Sequence, residues 1–139
     1  MMHPVLRNIL AVLAGVLVGG VFNMLLIEFS ALVIAPPEGT DLSTAEGLIK
    51  AMPLMEPRHF IMPWLAHALG TFLAAFIASK LAVSHYRRIS IGIAIWFMLG
   101  GLMMVRMLPS PVWFTITDLA LAYLPMGWLG GRLARGKSF

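Results

Sequence analysis

The chain contains no cysteine among its 139 residues, which excludes disulfides, thiolate metal centres and a cysteine nucleophile, and leaves the redox compartment open. Charge is nearly as scarce. Asp, Glu, Lys and Arg make up 12% of the residues, against about 25% in an ordinary soluble domain. With 60% hydrophobic residues and a mean hydropathy of +0.89, a water-soluble fold could not cover its own surface. Acidic residues are fewest, six against ten Lys and Arg, and the pI is near 10.1. The basic residues form no single soluble patch, so nucleic acid is not an expected partner. They mark the sides of a membrane instead. A nucleophile elbow, a phosphate loop, an HExxH pair and a dinucleotide fingerprint are all missing, so no catalytic residue is assigned by motif.

What the chain does contain is four long apolar runs, at about residues 8–34, 60–83, 90–108 and 113–131. Each is near or above the ~20 residues that cross ~30 Å of hydrocarbon at ~1.5 Å per residue. The first is too long for a signal-peptide core of roughly 7–15 residues and is interrupted by Asn23 and Glu28, so it reads as a retained helix. Short turns at 84–89 and 109–111 join antiparallel neighbours. The expected fold is therefore all-α: one transmembrane domain over residues 1–139, built as a four-helix bundle, with an outer loop at 35–59.

Arg7, Lys80, Arg87, Arg88, Arg132, Arg135 and Lys137 fall on one side, against Lys50, Arg58 and Arg106 on the other. By the positive-inside rule both termini are cytoplasmic, in what reads as a bacterial inner membrane. In the outer loop, Ser43 and Glu46 have capping-box spacing, and Leu48, Met52 and Met55 recur on one face. A short interfacial helix is expected there, with Ser43 as its N-cap and Pro53 or Pro57 as its stop. Its plain role is a packing lid; its functional role would be a gate.

Helical periodicity assigns faces. In the second span Ala66, Gly70, Ala74 and Ala78 repeat every four residues, with His67 and Thr71 beside them. Small residues let helices approach closely, so this face packs, while Leu65, Leu69, Phe72, Leu73 and Phe76 are expected in lipid. In the first span Gly15, Gly19, Asn23 and Ser30 share a stripe nearly opposite Glu28. Two polar faces on one helix call for cover on both sides, which points to a homo-oligomer or a membrane partner subunit. In the fourth span Pro125 lacks an N–H for the Leu121 carbonyl and predicts a kink, with Gly127 and Gly131 as a packing stripe beyond it.

Ionisable residues inside a bilayer are costly and mark functional candidates. Helix rise puts Glu28, His67 and Asp118 roughly 8–10 Å below the outer surface, with Arg106 shallower. Arg106 with Asp118 reads as an ion pair. Glu28 with His67 reads as a proton relay, since a carboxyl and an imidazole removed from water approach each other in proton affinity. Asn23 and Thr71 extend this polar set. A metal reading rests on Met103 and Met107 with His59 and His67, soft ligands that suit Cu(I), against the commoner use of methionine as apolar filler. No cofactor is implied by any motif. The leading expectation is a small homo-oligomeric transporter or channel coupled to protons. Its rivals are a structural or accessory subunit of a larger membrane complex and a membrane enzyme or a protein that binds a metal or a lipid-like cofactor.

Overall fold

Small residues at four-residue spacing decide how the longest helix packs. The protein is described by a computed structural model covering residues 2–139. In it α1 (Pro4–Val33) lies along α3 (Ile61–Leu81), with Gly15 against Ala74 and Ala78 and Gly19 against Gly70 and Ala74. A Cβ on either glycine would overlap the backbone or the methyl groups opposite. The glycines therefore set the interhelical distance, as small residues do in lipid, where hydrophobic burial gives no drive between helices. Gly70 meets Asn23 of α1 in the same way. The glycine stripe of the first span and the Ala66, Gly70, Ala74 stripe of the second are thus partners within one chain.

Overall 81% of the chain is helical, and no strand occurs among the described residues. Four helical stretches are long and apolar enough to cross a membrane: Pro4–Val33, Pro57–Leu81, Tyr86–Met107 and Val112–Ser138. These features point to an integral membrane protein. The boundaries differ from the sequence reading by one to seven residues, most at the end of the fourth span, which runs on to Ser138; at the start of the first, Pro4 takes the first turn and His3 caps it.

α3 is the central helix. α1 covers one side of it, and α4 (Tyr86–Met107) and α6 (Leu124–Arg135) cover the others, while α1 and α4 scarcely touch. The face expected in lipid is a correction: Phe72 and Phe76 are half-buried, and Gly130 of α6 packs on their backbone. The small-residue stripe marked one packing face, but a helix with three neighbours packs on more than one.

The fourth span breaks where Pro125 demands it. α5 (Val112–Leu121) ends, Ala122 and Tyr123 turn, and α6 restarts with Pro125 in its first turn, where a missing N–H costs nothing. The break drives the Tyr123 ring into the bundle against Gly101, where no side chain would fit.

At the end of the bundle that holds the termini, polar side chains grip the connection from α3 to α4. Asn8 accepts from the Val83 amide at 2.9 Å and donates to Ser84 Oγ at 3.0 Å. Arg135 donates to the carbonyls of Ser79, Lys80 and Ala82, and its guanidinium lies 3.8 Å over the Tyr86 ring. These carbonyls close α3, whose last turn has no helical donor for them.

At the other end the loop forms α2 (Ala45–Ala51), followed by short 3-10 turns at Met52–Leu54 and Pro57–Phe60. Its N-cap is Thr44, whose Oγ1 accepts from the Gly47 amide at 3.0 Å, and not Ser43 as expected. Ser43 is already spent on Asp41, giving its hydroxyl at 2.6 Å and its amide at 2.9 Å to Oδ1. Glu46 pairs with Lys50 at 2.7 Å in place of closing a capping box.

Candidate functional site

The cavity at the loop end lies between α1 and α4. Both flank α3 and scarcely touch each other, and the loop from Leu42 to Phe60 roofs the space between them. The result is a cavity of about 530 Å³, within the ~300–1,000 Å³ usual for small-molecule sites. Its walls are mostly apolar: Ile27 and Ala31 of α1 with Ile34 at its C-cap, Met104 of α4 with Leu108 at its C-cap, and Met52, Met55 and Phe60 from the roof. Phe60 packs on Phe114 at 4.8 Å and edge-on to Trp113 at 5.6 Å, which anchors the loop to α5.

The polar groups of this cavity come from three helices. His67 of α3 holds Nδ1 at 2.8 Å from Asp118 Oδ1, and the Tyr123 hydroxyl donates to Asp118 Oδ2 at 3.0 Å. The Tyr123 ring stacks on the imidazole with centroids 5.8 Å apart. Asp118 is only 3% exposed, while the His67 side chain keeps 20% of its surface open. The arrangement is a buried carboxylate satisfied by two donors, one of which is an imidazole that also borders the cavity. With Nδ1–H turned to Asp118, the lone pair of the neutral ring sits on Nε2. No hydrogen bond among the described residues engages Nε2.

Several expectations about this site are corrected. Asp118 pairs with His67 and Tyr123, not with Arg106, which is exposed and makes no ion pair among the described residues. Arg106 sits in the last turn of α4, away from the cavity lining, and free to extend toward water. Glu28 borders the cavity but forms no hydrogen bond with His67; it is exposed at the rim. Asn23 and Thr71 lie deeper. Thr71 is fully buried one turn below His67, and both Asn23 Oδ1 and Thr71 Oγ1 are buried without a hydrogen-bond partner among the described residues.

The soft-metal set is not assembled. Met103 and Met107 are 65% and 59% exposed on the outside of α4, whereas Met104 between them faces the cavity. Helical rotation of about 100° per residue separates the two positions from their neighbour. His59 is occupied: its Nδ1 accepts from the Glu56 amide at 2.9 Å and its Nε2 contacts the Ala35 carbonyl at 3.0 Å, tying the roof to the end of α1. No group of three His, Asp or Glu placed to hold a metal occurs among the described residues.

Of the packing residues, Gly127 meets Ala94 and Gly131 meets Ser90, whose hydroxyl donates to the Gly127 carbonyl. Tyr123 and Gly101 were not legible as site residues. The signal was the five-residue spacing from Asp118 across the Pro125 break, which brings two polar side chains of one span together only once the helix is interrupted. Compared with protein-family models, curated proteins and solved structures, the chain matches none. The functional reading therefore rests on this geometry.

Proposed function

We propose that the chain is a small proton-coupled membrane transporter, with the cavity as its substrate site and His67 as its proton site. The observation that supports this reading is the double engagement of His67, which is bonded through Nδ1 to a buried carboxylate and lines the cavity with its Nε2 in no hydrogen bond among the described residues. A proton taken at Nε2 makes an imidazolium that Asp118 stabilises directly. Its release leaves the neutral tautomer already held in place by the same contact. In a water-poor site such a change of charge is felt strongly by anything beside it. Substrate occupancy and protonation thus act on one small volume, the condition for coupling them.

Thr71 and Asn23 offer unpaired oxygens toward the middle of the bundle, where water can continue a proton path. In the membrane, both termini lie on the cytoplasmic side of a bacterial inner membrane, and α2 with the roof of the cavity lies at the outer interface. The working unit is a homo-oligomer. α1 packs on one neighbour and leaves most of its surface free, which a second copy covers. That same free face favours a second reading, an accessory subunit covered by a partner chain.

The test is solid-supported membrane electrophysiology on the reconstituted protein, with a panel of cationic, anionic and zwitterionic solutes under opposed pH gradients. Wild type is expected to give currents that depend on the pH gradient with at least one solute, and His67→Gln currents that do not. Absence of current with every solute overturns the transport reading.

A further inference from the structure

We infer that the cavity takes a single-chain amphiphile with a cationic head, admitted sideways from the lipid through the gap between α1 and α4. This deepens the transport reading by naming the substrate class, and it rests on the cavity being the substrate site. The route follows from the packing. α3 and α5 form the floor, the loop forms the roof, and the two flanking helices that would close the remaining side barely touch. With the four apolar helices set in a bilayer, a gap between α1 and α4 opens toward hydrocarbon, so what enters must be compatible with lipid.

The head group follows from charge. Two carboxylates, Glu28 and Asp118, border the cavity, and no Lys or Arg does. Asp118 is satisfied by His67 and Tyr123. Glu28 forms neither a hydrogen bond nor an ion pair among the described residues, and it is an exposed α1 residue that borders the cavity. It is the one anion at this site with no partner. A carboxylate or phosphate head would meet Glu28 with no cation to offset the repulsion, and a neutral head would leave it unpaired. An ammonium pairs with it directly.

The chain follows from the walls. Ile27, Ala31 and Ile34 face Met104 and Leu108 across the cavity, with Met52 and Met55 above. Unbranched thioether side chains adjust to irregular apolar shapes, which suits a flexible alkyl chain better than one rigid ring system.

The experiment is photolabelling of the full chain in nanodiscs of zwitterionic phosphatidylcholine. Three probes share one diazirine-bearing alkyl chain and differ only in carrying a trimethylammonium, a carboxylate or a hydroxyl head. The trimethylammonium probe is expected to label residues 27–34 and 101–108 about tenfold more than the carboxylate probe, the scale of one charge-assisted contact. Glu28→Gln is expected to erase that preference, and Ala31→Phe to fill the cavity and suppress labelling by all three. Equal labelling by the three heads, a preference that survives Glu28→Gln, or labelling that spares both segments overturns the inference. If currents driven by a pH gradient persist with another solute while the ammonium probe fails to label, this inference falls and the transport reading stands. If the ammonium probe labels the cavity and no solute gives current, the reverse holds.

Discussion

The two ends of the bundle are built from the same helices under opposite rules. At the end with the termini, Gly15, Gly19, Gly127, Gly130 and Gly131 bring backbones together, and Asn8 and Arg135 close the remaining polar groups. At the loop end larger apolar side chains of α1, α4 and the loop line a cavity, and Glu28 makes no hydrogen bond or ion pair among the described residues. The first end is built to hold position. Only the second has room for a ligand, with the His67–Asp118 pair beside it, so on the proposed function mutations at the two ends should divide into losses of stability and losses of function.

The largest expected effect is at the closed end. Gly19→Leu would drive a side chain into Ala74 and Gly70, at a cost of about 1–3 kcal/mol or more for overpacking, and folded protein should be lost in a detergent thermal-stability assay. Gly20→Ala, one residue away with open space around it, should leave stability unchanged or raise it by ~0.5–1 kcal/mol. Arg135→Gln removes charge-assisted bonds to the carbonyls that end α3, each worth about 1.5–3 kcal/mol. It should lower the Tm without altering ligand labelling at the far end.

Tyr123→Phe crosses the comparison. It takes one of the two donors from a buried carboxylate, costing about 1–3 kcal/mol of stability, and under the proposed proton coupling it should also change the pH dependence of the currents, which Gly19 and Arg135 variants that fold should not. His59→Ala sharpens the contrast by acting on the roof alone. It loses the bond that joins the loop to Ala35 and the local bond from the Glu56 amide, about 0.5–1.5 kcal/mol each. Hydrogen exchange should accelerate in residues 36–56 while the bundle keeps its protection.

The smallest effect concerns Asp41. The Ser43 hydroxyl and then its amide hold this carboxylate below its ordinary range. A lowered folded value means that the stabilisation of the turn is present above the unfolded value and is lost as pH falls through the folded one. Carbon NMR of the Asp41 carboxyl should show the low midpoint, and Ser43→Ala should raise it.

Sequence pattern carried the helices and the closed end further than the open one. Apolar length and Pro125 placed the four spans and the break in the last of them, because these depend on local chemistry alone. The stripes of Gly15 and Gly19 and of Ala66, Gly70 and Ala74 were readable as packing faces, though not which stripe met which. His67 and Asp118 were readable as intramembrane polar residues at similar depth. Their pairing was not, since Arg106 is nearer to Asp118 along the chain and only the tertiary arrangement carries His67 to it. Tyr123 was hidden because an unbroken helix would point it away from Asp118. Thr44 was hidden for a simpler reason: Ser43 fits the capping pattern equally well, and the competing bond to Asp41 decides between them.

The most direct test of the central claim is nitrogen-15 solid-state NMR of His67 in lipid bilayers, titrated across pH. If His67 is the proton site described here, Nδ1 keeps its proton against Asp118 throughout, Nε2 gains and loses one, and transport changes over the same pH interval. If Nδ1 exchanges its proton first, or Nε2 stays unchanged while transport responds to pH, the proton is carried elsewhere and the account fails.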